Sequence, residues 1–281
     1  MRILFVGDVV GKPGRRILAE HLPALRREHA LDYVVVNGEN AAGGVGLTPA
    51  VARELQELGA DAITLGNHTW DKRELAPAMD AFPALLRPLN YPPGAPGRGA
   101  GVVRRGQAAP LGVVNALGRV FATAQLDCPF RGVEQALEEL AGRARAVLVD
   151  FHAEATSEKV AMGWFLDGRV SAVIGTHTHV QTADAMVLPG GTAYLTDAGM
   201  TGPWVSDLGM ERGRIIERFL TQMPVRFEVA PGPCQFNGAV IDVDDETGRA
   251  RSIAALAWRE PLPGDAEPAA RAPAEPGARA H

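Results

Sequence analysis

Three short apolar stretches near the amino terminus decide the fold: RILFVGD (2–8), YVVVNGEN (33–40) and AITLGNH (62–68). Each is rich in aliphatic residues, which favours a buried strand, and each ends in a glycine followed by polar residues. The segments between them, 13–29 and 48–58, place leucines and other apolar residues at helical spacing. This alternation predicts parallel strands joined by helices in an α/β (α+β) fold.

The same alternation continues downstream. Further strands are predicted at 102–103, 111–117, 146–151 and 170–175. Helices are predicted at 131–145, between the strands 146–151 and 170–175, and at 211–221. A pair of strands at 238–244 and 253–258 is predicted to close the fold. Together they predict two mixed sheets flanked by helices within a single domain, 1–259. From residue 260 the composition shifts to Pro, Ala, Gly and charge, which predicts a disordered tail over 260–281.

Composition narrows the function classes. Asp and Glu number 33 against 28 Lys and Arg, a net charge of -5, so no global basic field draws the protein to long nucleic acid. The apolar run at the amino terminus is too short for a signal peptide or a membrane span. Cys128 and Cys234 lack the spacing of a metal site or a disulfide framework. We expect a cytoplasmic protein without a membrane partner, in which homo-oligomer formation remains open.

Metal-capable side chains follow five of the predicted strands. Four of the seven histidines lie at these strand ends, where the carboxyl ends of parallel strands share one edge of a sheet. Singly, each residue has an ordinary interpretation as a turn, helix-capping or buried polar residue. Their joint occurrence predicts one metal site, with the candidate ligands Asp8, Glu39, Asn40, Asn67, His152, His177 and His179 beside His68.

Carboxylates and imidazoles without thiolates suit Mn, Fe or Zn. A single carboxylate can bridge two ions about 3.5–4 Å apart, and such a pair activates water for attack on a phosphate. Asp8 and Glu39 contribute two negative charges, fewer than the charge of two divalent ions, so the site would remain electropositive. The sequence therefore predicts a two-metal phosphoesterase.

The motifs GD (7–8), GEN (38–40), GNHTWD (66–71), the single His152 and GTHTH (175–179) resemble the calcineurin-like metallophosphoesterase superfamily, most closely its YmdB-like branch. The resemblance implies a four-layer αββα sandwich and two metal ions per chain. It implies that Glu39 bridges the ions. Asp8 and His179 would hold one ion, and Asn67, His152 and His177 the other.

The same resemblance implies that His68 protonates the leaving oxygen or stabilises the phosphate. It also implies a cyclic nucleotide substrate, with 2′,3′- or 3′,5′-cyclic AMP as the leading candidates. The carboxylate that often follows this histidine is displaced here by two residues, and we expect Asp71 to orient His68.

Two departures from the superfamily pattern concern the first ion. Val10 stands where a histidine is usual, and the bridge is Glu39 where aspartate is usual. The amide oxygen of Asn40 can take the place of the absent imidazole; a contact to phosphate is the alternative. Both departures fit the YmdB-like branch, whose metals are expected to include iron. Oxygen in place of nitrogen favours Fe or Mn over Zn.

Other functions remain open at this point. A phosphomonoesterase or nucleotidase would use the same ligands, because substrate choice lies in the surrounding loops. A metal-binding regulatory protein with weak turnover is favoured by the absent imidazole and opposed by His68. A nuclease on long nucleic acid is disfavoured by the acidic balance. Asp197, in the glycine-rich segment 196–203, is interpreted as satisfying backbone groups rather than acting in catalysis.

Overall fold

The computed structural model describes residues 1–262 and 264. Its strands are β1 (Arg2–Val6), β2 (Asp8–Val9), β3 (Tyr33–Asn37), β4 (Ala62–Thr64), β5 (Leu85–Leu86), β6 (Ala100–Val103), β7 (Leu111–Leu117), β8 (Ala146–His152), β9 (Ala172–Thr176), β10 (Met186–Val187), β11 (Ala193–Leu195), β12 (Met200–Pro203), β13 (Cys234–Val243) and β14 (Ala250–Arg259). Its helices are α1 (Gly11–Glu28), α2 (Pro49–Glu57), α3 (Pro129–Leu140), α4 (Thr156–Leu166) and α5 (Arg212–Thr221), with a 3₁₀ helix at Ala76–Ala81.

The first sheet is built around β1. The strands β1, β3, β4 and β5 are parallel neighbours in that order. β13 runs antiparallel to β1 and pairs with β14 along its other side. β12 pairs with one end of β13, and β2 pairs with β12. The carboxyl ends of β1, β3 and β4 therefore share one edge of the sheet.

The second sheet contains six strands in the order β10, β11, β9, β8, β7, β6. Its central strands β7, β8, β9 and β11 are parallel, and the two outermost strands are antiparallel to their neighbours. β8 and β9 end side by side, with His152 opposite Thr176. This sheet therefore presents a second edge of carboxyl ends.

Three buried apolar clusters separate four layers. On β1, Leu4 and Val6 pack in the cluster shared with α1 and α2, whereas Ile3 and Phe5 pack in the cluster between the two sheets. This division follows the alternation of side chains along a strand. A third cluster joins the outer face of the second sheet to α3 and α4. The predicted αββα sandwich is confirmed.

Local signals explain where several elements begin and end. Thr48 caps α2, since its hydroxyl accepts from the N–H of Val51 at 3.2 Å and Pro49 fills the first helical position. α3 ends at Leu140 rather than at 145 as predicted, because Gly142 turns the chain with a φ of 73°.

Glu260, the first residue of the predicted tail, packs against the rest of the protein. Glu260 forms an ion pair with Arg16 at 2.8 Å and accepts from the N–H of Cys234. The rest of the predicted tail, residues 263 and 265–281, lies outside the described residues. Among residues 1–262 and 264, no helix combines the length and apolar character needed to cross a membrane.

Candidate metal centre

The predicted ligands meet where the carboxyl-terminal edges of the two sheets face each other. β1, β3 and β4 of the first sheet bring Asp8, Glu39 with Asn40, and Asn67 with His68; β8 and β9 of the second sheet bring His152, His177 and His179. Asp8, Glu39, Asn40 and His152 are at most 3% exposed. The structure brings all eight predicted residues into one connected cluster.

One group of atoms surrounds the ring nitrogen Nε2 of His152. Glu39 Oε1 lies 2.9 Å from it, Asn67 Oδ1 3.0 Å and His177 Nδ1 3.0 Å. Glu39, His152 and His177 place one ligand atom each within 4.8 Å of one another, close enough to hold a metal ion. Gly66 permits this approach, because a Cβ there would collide with both Glu39 and His152.

A second group lies on the other side of Glu39. His179 Nε2 lies 3.1 Å from the side-chain amide of Asn40 and 3.9 Å from Asp8 Oδ1. Asp8 Oδ2 accepts the N–H of His177, whereas Asp8 Oδ1 is buried with no hydrogen-bond partner. An unpaired buried carboxylate oxygen costs free energy unless a cation or donor meets it. This orphaned oxygen fits a metal ligand.

Glu39 Oε1 connects the two groups, since it lies 2.9 Å from His152 and 3.3 Å from the amide nitrogen of Asn40. Its other oxygen, Oε2, accepts the N–H of His68 at 3.2 Å. The carboxylate is thus held by backbone on one side and faces both clusters on the other. Among the predicted ligands, it is the one in position to serve two ions.

Each of the three histidines predicted as ligands has a contact on the ring nitrogen that points away from the cluster. His152 Nδ1 contacts Thr176 Oγ1 at 2.9 Å, His177 Nε2 contacts Glu154 at 2.9 Å, and His179 Nδ1 contacts the carbonyl of Leu208 at 2.9 Å. In the neutral form of each ring, a proton on this far nitrogen leaves the near nitrogen with a lone pair facing the cluster. This arrangement is typical of metal-binding histidines.

Electrostatics leaves one proton in the first group. Burial opposes the charge of Glu39, but the positive charge of His152 outweighs it and lowers the pKa of Glu39 to about 2. Burial also opposes charge on His152, yet Glu39 and Asp8 raise its pKa to about 9. Burial and the charge of His152 lower the pKa of His177 to about 3, and burial raises the pKa of Asp8. The four atoms of the first group, Glu39 Oε1, Asn67 Oδ1, His152 Nε2 and His177 Nδ1, therefore share a single proton. One metal ion would satisfy all four better than this proton does.

A buried polar network supports His152 from behind. Thr176 Oγ1 donates to Asp150 Oδ1 at 2.7 Å, so it accepts the proton of His152 Nδ1. Asp150 Oδ2 also accepts from Thr64 and Asn37. Burial raises the pKa of Asp150 to about 6. Through Thr176 this network fixes which nitrogen of His152 faces the cluster.

The GTHTH segment is held in a strained conformation. His177 and His179 both have positive φ, 102° and 64°, which is rare for residues other than glycine. Between them, Thr178 donates its N–H and its hydroxyl to Asp197 Oδ2. Lys159 binds the same oxygen at 2.7 Å, and both charged side chains are almost fully buried. Asp197 satisfies backbone groups, as interpreted from the sequence, and fixes the loop that carries the predicted ligands His177 and His179.

His68 lies at the open side of the cluster, about one-third exposed. Its Nδ1 contacts Asp71 Oδ2 at 2.7 Å, the partner expected from the sequence. Nε2 is consequently the nitrogen left for a substrate. His68 lines two cavities, of about 360 and 670 Å³, that open on either side of the cluster.

Four supporting residues carry no clear signal in the sequence: Asp150, Glu154, Lys159 and Thr176. Asp150 and Glu154 flank His152 at two positions on either side, and Thr176 precedes His177. Their roles depend on which way the strand side chains point. Lys159 lies on α4, and only the packing of that helix brings it to Asp197.

Comparison with known proteins agrees with this architecture. The model of the YmdB-like protein family matches residues 4–256. The chain is 53% identical over 253 residues to the 2′,3′-cyclic-nucleotide 2′-phosphodiesterase of Bacillus subtilis, covering 90% of this chain and 95% of that protein. A solved hypothetical protein from Thermus thermophilus is 46% identical with a TM-score of 0.86, covering 93% of this chain and all of the other. A solved phosphatase from Mycoplasma pneumoniae is 35% identical with a TM-score of 0.87, covering 94% and 95%. The chain belongs to the YmdB-like protein family.

Proposed function

We propose that the protein is a metal-dependent phosphodiesterase that hydrolyses small phosphodiesters, first among them 2′,3′- or 3′,5′-cyclic nucleotides. The observation that carries the proposal is the convergence of acceptor atoms around Glu39, with Asp8 Oδ1 buried and unpaired. The similarity to a 2′,3′-cyclic-nucleotide 2′-phosphodiesterase over almost the whole chain supports the substrate class.

The ligand roles follow the two groups of atoms. Glu39 would bridge two ions; Asn67, His152 and His177 would hold one, and Asp8, His179 and Asn40 the other. The side-chain amide of Asn40 presents nitrogen to His179. Oxygen and nitrogen of an amide exchange places by a half-turn about the terminal bond, so Asn40 can present its oxygen to a cation at the same position.

The chemistry divides between the ions and the protein. Two bound divalent ions would polarise the phosphate and lower the pKa of water to near neutrality. The protein orients the ligands through the contacts behind each histidine, and Asp71 holds His68 with Nε2 toward the cavities. We assign His68 as the donor of a proton to the leaving oxygen, the step that general acid catalysis accelerates by about 10²–10⁴-fold.

The donor set bears on the identity of the metal. The second group contains one imidazole, with oxygen from Asp8, Glu39 and Asn40. Hard oxygen donors favour Fe or Mn, and Zn also binds such sites. We propose iron as the native metal, with Mn or Zn as substitutes.

A phosphomonoesterase is the second candidate function, because a structural relative of 35% identity is described as a phosphatase. Both activities need the same ligands. They differ in whether the phosphate keeps a second ester group, which the cavities beside the metal centre must accommodate.

The test is to purify the protein without added metal, measure Fe, Mn and Zn by elemental analysis, and assay the same samples. The substrates are bis-p-nitrophenyl phosphate, p-nitrophenyl phosphate and 2′,3′- and 3′,5′-cyclic AMP.

We expect about two metals per chain and faster hydrolysis of diesters than of monoesters. His68→Ala should retain its metals and lose about 10²–10⁴-fold in kcat, whereas His29→Ala, at the far end of α1, should match the parent protein. A protein that stays inert after reconstitution with Fe or Mn would contradict the proposal.

A further inference from the structure

Two adjoining cavities open on either side of the candidate metal centre, and we call the two together the groove. The smaller, about 360 Å³, lies under the loop 117–124, and the larger, about 670 Å³, lies beside α5. His68, Glu154 and His177 line both. Each volume falls within the range of about 300–1,000 Å³ found for small-molecule sites. A phosphate at the metal centre would therefore have room for a bulky group on either side.

An exposed aromatic side chain stands at the smaller cavity. Phe121 is 82% exposed and has a φ of 64°, an unfavourable conformation for a bulky residue. The loop before it is fixed, because the N–H groups of Arg119 and Val120 donate to the carboxylate of Glu158 at 3.0 and 3.2 Å. Strain retained next to a candidate active site suggests a function for the side chain.

A second exposed aromatic side chain stands at the larger cavity. Phe219 is 73% exposed on α5, a helix in which no residue is buried. Nearby, the guanidinium of Arg218 lies 5.1 Å from the ring centroid of Phe227, and all three residues line the cavity. Exposed aromatic rings together with a cation are the groups that bind nucleobases by stacking.

We propose that the groove binds linear dinucleotides, with one base against Phe121, the other against Phe219 and the phosphodiester at the metal centre. This inference rests on the proposed function. A mononucleoside cyclic phosphate carries one base and can occupy only one arm of the groove. In the reaction, water forms the new bond to phosphorus, the ester bond to one sugar breaks, and that sugar oxygen takes a proton. The products are one nucleoside and one nucleoside monophosphate.

The test compares two substrates across four proteins loaded with the same metal. The substrates are the linear diadenosine monophosphate ApA and 2′,3′-cyclic AMP; the proteins are the parent, Phe121→Ala, Phe219→Ala and, as control, Trp164→Ala. Trp164 is 56% exposed on α4 and lines neither cavity. Titration calorimetry of ApA, with each substitution added to His68→Ala, measures binding without turnover.

We expect cleavage of ApA, with each phenylalanine substitution raising its KM roughly 10-fold, the loss of one stacked base. Only one of the two substitutions should affect cyclic AMP, and Trp164→Ala should affect neither substrate. Cleavage of cyclic AMP without cleavage of ApA would overturn this inference and leave the proposed function intact. The inference also fails if either phenylalanine substitution affects ApA no more than Trp164→Ala does. Failure to cleave bis-p-nitrophenyl phosphate as well would overturn the proposed function and this inference together.

Discussion

Glu39 is the residue on which the proposed two-metal arrangement depends, because its Oε1 contacts both groups of candidate ligands. Glu39→Gln keeps the shape of the side chain and removes the charge that two cations would share. We expect elemental analysis after purification to show the metal content falling from about two ions per chain to one or fewer. Glu134→Gln, which alters a half-exposed carboxylate paired with Arg169, is the matched control.

Retention of two ions by Glu39→Gln would contradict the bridging role. In that variant Asp8 would be the only charged ligand left, and two ions would have to share a single carboxylate and neutral donors. The fold should not change, because the buried amide can still accept the N–H of His68.

His152 gives metal binding a dependence on pH. Without metal its pKa is raised to about 9: burial lowers it, and Glu39 and Asp8 more than compensate. A metal ligand must be deprotonated, so His152 must release its proton when an ion binds below that pH. We expect metal affinity to increase with pH up to about 9, and calorimetry in buffers of different ionisation enthalpy to show about one proton released per chain at pH 7.

A metal affinity that does not vary between pH 6 and 9 would contradict this prediction. The metal affinity of His29→Ala should depend on pH as that of the parent does, since His29 lies outside the cluster of candidate ligands. His177 should contribute no proton in this range, because burial and the charge of His152 lower its pKa to about 3.

At the scale of the element, the loop after β9 carries two of the proposed ligands, His177 and His179, in strained conformations. Asp197, paired with the buried Lys159, holds Thr178 of this loop by accepting its N–H. Lys159→Met removes the cation and leaves Asp197 buried without its partner. Breaking a buried pair costs about 3–5 kcal/mol, so the free energy of unfolding measured in urea should fall by about that amount. Lys12→Met is the control at a surface lysine.

Replacing both partners, as in Lys159→Met with Asp197→Leu, tests the same element differently. It removes the unpaired charge but also the acceptor for the N–H and hydroxyl of Thr178. We expect stability to recover in part, while metal affinity stays low because the loop has lost its anchor. Full recovery of metal binding would show that Asp197 has no part in positioning the histidines.

The elements themselves were largely predictable from sequence. The spacing of apolar residues predicts which segments are buried strands. Polar residues at the carboxyl ends of such strands indicate that these ends lie along one edge of a parallel sheet. The αββα layers and the proximity of His68 to Asp71 follow from those signals and from the family resemblance. The contacts behind the histidines did not follow, since Glu154 and Thr176 act through side-chain directions that spacing alone leaves open. That α5 buries none of its residues was equally hidden, because its apolar spacing favours a buried face.

At the scale of the whole molecule, Asp150 connects the two sheets beneath the metal centre. It lies on β8 of the second sheet and accepts from Asn37 and Thr64 of the first sheet, and from Thr176 of its own. The network joins the two sheets by polar contacts at the edge that carries the candidate ligands, next to the apolar cluster that also lies between the sheets. The network contains a buried acidic group, Asp150, which makes the free energy of unfolding depend on pH.

Burial raises the pKa of Asp150 from 3.8 to about 6, so the folded metal-free protein binds this proton more tightly than the unfolded chain. The resulting stabilisation is complete below about pH 4 and is lost as pH rises through 6. The shift corresponds to about 3 kcal/mol, at about 1.36 kcal/mol per pKa unit. Asp150→Asn cannot titrate and lacks this dependence.

We therefore expect urea unfolding of the metal-free proteins to give a difference, parent minus Asp150→Asn, that falls by about 2.5 kcal/mol between pH 4 and 7, most of the full shift. Glu39, His152 and the other titrating groups remain in both proteins, so their contributions to this difference largely cancel. Adding metal should reduce the change, because a cation near His152 stabilises the charged form of Asp150. Parallel stability curves for the two metal-free proteins would mean that the hydrogen bonds from Asn37, Thr64 and Thr176 fully compensate the buried charge.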